Sequence, residues 1–148
     1  MENSKTQQTN QLLFLGILMF FLGLIVGLFI PLMANARMGL SSHLEGVMNG
    51  MFIVILGLLW NRLELSKKLL KATYWLTLYG TFANFITVLV AAITGAGKMM
   101  PLAKGQEKGP ILEAVISFLL ISLSLAMLAV CILVMAGLYR HMKHQLAN

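Results

Sequence analysis

Charge is scarce in this sequence: 11% of its 148 residues are Asp, Glu, Lys or Arg. A soluble domain carries about 25%. With 59% hydrophobic residues, the chain has too little polar surface to cover itself in water, and the class that composition favours is a membrane protein. Cysteine is reduced to one, Cys131, which excludes an intrachain disulfide and cannot build a metal cluster alone. It lies in an apolar run and reads as a small core residue. No Ser/His/Asp set falls within the apolar segments, and no HExxH, CxxC or carboxylate cluster suggests zinc or a di-metal centre. Gly97-Lys98 lacks the glycine and Ser/Thr spacing of a phosphate loop. The net charge of +6 does not mark a nucleic-acid binder. Its basic residues sit between apolar blocks, where they act as topology markers.

What remains is apolar runs of membrane-spanning length, about 20 residues being needed to cross. We read an all-α, four-helix transmembrane bundle in a single domain, with helices over 12–33, 43–63, 72–94 and 111–139. Residues 1–11 read as a short flexible tail. Ala34-Asn35-Ala36 resembles a signal-peptidase site, but the preceding apolar segment exceeds the 7–15 residues or so of a signal core, so the helix is expected to be retained. Gly23 and Gly27 form a GxxxG on helix one, a face that lets another helix approach closely. Trp60 beside Asn61 and Arg62, and the group Tyr74, Trp75 and Tyr79, read as interfacial aromatics. Glu113, Ser117, Ser124 and Cys131 form one stripe on helix four, read as a packing face. His141 and His144 read as part of a solvated basic tail. Lys5, Arg62, Lys67, Lys68, Lys71, Arg140 and Lys143 fall on the side of the termini, and Arg37, Lys98, Lys104 and Lys108 on the other. The positive-inside rule then places both termini in the cytoplasm of a bacterial inner membrane.

The informative stretch is Ser42-His43-Leu44-Glu45-Gly46-Val47-Met48-Asn49-Gly50-Met51, which puts an imidazole, a carboxylate and a carboxamide at the start of an otherwise lipid-soluble helix. Ionisable groups there are expensive and mark function by default. Ser42 as N-cap with Glu45 at N3 is also a capping box, a second role for the carboxylate. His43, Gly46 and Gly50 share a broad face, where glycines beside a histidine would clear a slot for a flat ligand. Glu45 and Asn49 are i,i+4 neighbours on an adjacent face. Asn84, deep in helix three, needs a partner, either another helix or a pocket. Haem asks least of such a protein: one axial imidazole, with Met48 or Met51 as other possible ligands, and an apolar slot.

The segment Arg37 to Met51, with Phe82-Ala83-Asn84, resembles the signature regions of bacterial hydroxylaminobenzene mutases, and more distantly of styrene oxide isomerase. In the isomerase, too, a histidine precedes Asn-Gly-Met at the spacing of His43 to Asn49-Gly50-Met51. The resemblance implies an isomerase that rearranges a small arylhydroxylamine to a 2-aminophenol. It also implies a homotrimer with b-type haem between subunits, His43 as its axial iron ligand, and Asn49 and Asn84 near the substrate. Glu45 is the expected proton donor, which makes Glu45, Asn49 and Asn84 the expected catalytic set. One departure bears on the reaction: a tyrosine of the isomerase pocket is Val88 here, which weakens the epoxide-to-aldehyde alternative. A small proton-coupled exporter of aromatic cations and a non-catalytic anchor subunit remain open as other classes.

Overall fold

The structure is a computed structural model that describes residues 2–104 and 107–147. Among the described residues four long helices carry the chain: α1 (Glu2–Phe29), α2 (Ala36–Leu59), α3 (Lys67–Thr94) and α4 (Pro110–Leu146). All four are long and apolar enough to cross a membrane. The protein is an all-α polytopic membrane protein, as its composition leads one to expect. At 1.5 Å per residue, the 37 residues of α4 extend about 55 Å, well past a hydrocarbon core of about 30 Å.

The helices pack in chain order, α1 on α2, α2 on α3 and α3 on α4, while α1 and α4 make no substantial contact with each other among the described residues. Glycine decides the closest of these pairings. A Cβ on Gly46 would lie 2.5 Å from Gly23 Cα, and one on Gly50 would lie 2.6 Å from Phe20 N and 2.8 Å from Gly16 O. The α1–α2 crossing is therefore backbone against backbone, the geometry that small residues permit in membranes. At one end of the molecule Leu12, Met19, Ile53, Leu56, Trp60, Leu63, Leu70 and Tyr74 form a buried cluster. At the other, Met38, Val88, Ala91, Ala92, Ala96 and Ile116 form a second. Down the buried face of α3, Thr73, Thr77 and Thr81 each donate a hydrogen bond to the carbonyl four residues earlier, so these hydroxyls need no partner from another helix.

Several expectations are corrected. Residues 2–11 are not a tail but the first turns of α1. They dock through polar side chains: Lys5 Nζ donates to the carbonyls of Asn61 and Leu63, Gln8 accepts from the Trp60 indole, and Gln11 accepts from the Tyr74 hydroxyl. Trp60 is accordingly a fully buried core residue rather than an interfacial anchor, edge-on to Tyr74. The capping box is not used, because α2 begins seven residues before His43, with Asn35 as N-cap accepting from the backbone of Arg37 and Met38. Ser42 is buried inside the helix. On α4, Glu113 is buried and Ser117 half-buried, but Ser124 and Cys131 are exposed, so the second half of that stripe is not a packing face within this chain. Cys131 is likewise not a core residue. The basic tail continues α4, and His141 lies 3.0 Å and His144 3.8 Å from the Glu64 carboxylate. The α3–α4 connection includes residues 105 and 106, which lie outside the described residues.

Candidate active site

α2 presents two polar flanks separated by an exposed apolar ridge of Leu44, Met48, Met51 and Ile55. At 100° per residue, His43 and Glu45 project about 200° apart, one toward each neighbouring helix.

On the α3 flank a carboxylate and two carboxamides come together. The side-chain amide of Asn84 donates to Glu45 Oε2. Asn49 Nδ2 donates to the same oxygen at 3.3 Å and reaches toward Thr81 O at 3.5 Å. The i,i+4 spacing brings Asn49 under Glu45 on one helix, and the antiparallel α3 supplies Asn84 at the same depth. Among the described residues Glu45 Oε1 has no hydrogen-bond partner. All three side chains are half-buried. A carboxyl group oriented through one oxygen, with the other free, is equipped to hold or pass a proton. The three expected catalytic residues thus form one cluster.

On the α1 flank His43 Nδ1 lies 2.8 Å from the Gly23 carbonyl. A carbonyl only accepts, so Nδ1 carries the proton, and in the neutral ring the Nε2 lone pair is free. The imidazole rests against Gly27, where a Cβ would stand 2.8 Å from Nδ1. A histidine whose far N–H is fixed by a backbone carbonyl is arranged as metal-ligating histidines are. The donor set fits a haem, which needs one axial imidazole. Among the described residues no group of three His, Cys, Asp or Glu side chains stands together to hold a bare ion.

Gly46 and Gly50 do not clear a slot beside His43. That space is taken by α1, which packs directly on both, and Phe85 Cε2 would lie 2.9 Å from a Cβ at Gly46. They set the helix crossing that carries His43 to its seat. Sequence reasoning overlooked Gly23 and Gly27 as that seat. Their GxxxG spacing was the available signal, but it said nothing of which helix they meet. Val88, where the isomerase has a tyrosine, is buried in the apolar cluster and adds no polar group.

Comparison with known proteins places the chain in a family. The sequence profile described as styrene oxide isomerase matches residues 8–139. Hydroxylaminobenzene mutase HabB of Ectopseudomonas oleovorans is 52% identical over 131 residues, covering 87% of this chain and 80% of the relative. Hydroxylaminobenzene mutase HabA of the same organism is 46% identical over 127 residues, covering 84% of this chain and 94% of the relative. No solved structure matches the chain significantly. With the profile spanning nearly its whole length and these two relatives alongside, the chain belongs to the styrene oxide isomerase family.

Proposed function

We propose that this protein is a membrane mutase that isomerises hydroxylaminobenzene-type arylhydroxylamines to 2-aminophenols. The observation that carries the reading is the Glu45 carboxyl group held by Asn84 and Asn49 within the bilayer, in a chain whose relatives bear the mutase name. The reaction is an isomerisation. The N–O bond breaks with its electron pair leaving on oxygen, a C–O bond forms at the ring ortho carbon, and the ortho proton is lost as the nitrogen regains one. No oxidant or reductant enters.

The chain's own groups cover these proton movements. Glu45 Oε1 delivers a proton to the departing oxygen, which leaves as water, and takes back the ortho proton when the ring regains aromaticity, while the extra proton of the returning water passes to the nitrogen. Asn49 and Asn84 hold Oε2 and keep the carboxyl group aimed. The lipid-soluble helices and hydrocarbon around Glu45 would keep bulk water away, which would strengthen each of these interactions and suppress capture of the cationic fragment by solvent. His43 is the residue that would hold a ferric haem, through Nε2. Bound there, a haem would supply Lewis acidity toward the N–O oxygen.

His43 and Glu45 face opposite flanks of α2, so one chain does not aim both at one substrate. A ring of identical chains, each setting its His43 flank against the Glu45 flank of the next, does so by a heterologous, closing interface. A homotrimer with haem between subunits is therefore part of the proposal. So is placement in the bacterial inner membrane with both termini in the cytoplasm.

The test is conversion of hydroxylaminobenzene by the purified protein, read as 2-aminophenol by chromatography. Glu45→Gln is expected to lower turnover by about 10²-fold or more with helix content intact. His43→Ala is expected to remove any Soret absorption and the activity together. Full turnover by Glu45→Gln sinks the proton-donor role, and full turnover by a haem-free His43→Ala sinks the iron. Substrate-driven proton flux in liposomes with no aminophenol would replace the enzyme by an exporter.

A further inference from the structure

Where the α1–α2 and α3–α4 connections meet, they form an open cavity of about 370 Å³ lined by Ala34, Asn35, Arg37, Gly95, Lys104 and Lys108 among others. That volume is at the small end of ligand sites, which run from about 300 to 1,000 Å³. Three cations face it, and among the described residues no carboxylate lines it. The nearby acids are engaged elsewhere. Glu107 pairs with Lys98 at 3.6 Å, and the Glu113 carboxylate accepts the backbone N–H groups of Gly97, Lys98 and Lys108.

The walls are stitched to each other across the chain. Asn35 N donates to Ala92 O at 3.0 Å. Asn35 Nδ2 donates to Ala103 O at 3.1 Å, and Arg37 Nη1 donates to Leu102 O at 3.3 Å. That bond uses one of the five guanidinium donors, and among the described residues the others have no partner. Three like charges gathered around a preformed cavity repel one another unless an anion joins them.

The surroundings indicate what carries the anion. Leu102, two residues before Lys104 in the same short turn, is 93% exposed, and Leu32, three residues beyond the end of α1, is 82% exposed. Bare leucines beside a basic cavity, one at the end of a membrane span and one in the α3–α4 connection, match an amphiphile with a charged head and apolar tails. We propose that this cavity binds the phosphate of an anionic phospholipid headgroup. It is separate from the Glu45 cluster and from His43, so it stands whether or not the mutase reading does.

The test reconstitutes the full chain in nanodiscs of phosphatidylcholine with phosphatidylglycerol and measures the lipid retained after detergent extraction by mass spectrometry. The protein is expected to enrich phosphatidylglycerol by about tenfold or more. Arg37→Gln/Lys104→Gln/Lys108→Gln is expected to abolish that enrichment. Lys67→Gln/Lys68→Gln/Lys71→Gln, with the same charge loss at the other end, is expected to keep it. In a second arm, inorganic phosphate is titrated against chloride at matched ionic strength. Displacement of phosphatidylglycerol together with a raised unfolding midpoint, both lost in the first triple variant, assigns the same cavity to free phosphate. Should the triple variant not fold, Lys104→Gln alone reads the site, because it removes one cavity charge and leaves the stitching bonds of Asn35 and Arg37 in place. A several-fold fall in enrichment supports the proposal, and unchanged enrichment in the variants of all three cavity residues overturns it.

Discussion

Glycine substitutions separate backbone contacts from side-chain contacts in this molecule. At Gly46 an added methyl meets the α1 backbone at Gly23, which cannot move aside alone. Gly46→Ala is therefore expected to destabilise the protein by about 1–3 kcal/mol, read by unfolding in mixed micelles. At Gly39 the same methyl crowds only Met33 Sδ, the far end of a flexible side chain, and touches Ile30 at ordinary contact distance. There the gain in helix propensity, up to about 1 kcal/mol, offsets the crowding, and Gly39→Ala is expected to be neutral or stabilising in the same assay. Gly27→Ala is more selective, because its methyl strikes the His43 ring. If His43 holds the proposed haem, Gly27→Ala is expected to lower Soret absorbance per protein, with little change in fold. Glu45, Asn49 and Asn84 are legible in the sequence as residue types, since polar groups in a lipid-soluble segment stand out. Their shared contact is not, because the pairing of Asn84 with Glu45 depends on the register of α3 against α2.

The connections between helices owe their order to a few polar side chains. Glu113 is buried, and its carboxylate gathers three backbone N–H groups from the α3–α4 connection. In the sequence Glu113 reads only as one member of a packing stripe on helix four. The bonds it makes come from residues up to sixteen positions earlier, beyond the reach of a helical pattern. Glu113→Gln keeps one acceptor oxygen and loses the charge. Faster hydrogen–deuterium exchange at Gly97, Lys98 and Lys108 is the expected result, with exchange in mid-α3 unchanged. The same limit explains the start of α2. Residues 36–42 lack a long apolar run, so they read as a connection, whereas the Asn35 cap and burial of Met38 and Gly39 make them helix. At the other end, Gln8, Gln11 and Lys5 turn a polar stretch into docked helix through partners more than fifty residues away.

For the whole molecule, the serial packing of the helices leaves the two polar flanks of α2 apart, and the proposed ring of subunits joins them. Co-expression tests this directly. His43→Ala and Glu45→Gln are each expected to be inactive alone. Mixed trimers pair an intact His43 from one chain with an intact Glu45 from the next at about a quarter of the interfaces, so about that share of activity is expected to return. No recovery places both residues' work within one chain. Membrane class, the four spans and the polar residue types all follow from composition and the length of apolar runs, because the cost of exposing or burying a side chain is a property of that side chain. Helix ends, the seat of His43 against Gly23 and Gly27, the burial of Trp60 and the basic cavity depend on which segments meet. Those contacts join residues far apart in the chain, and no local periodicity encodes their partners.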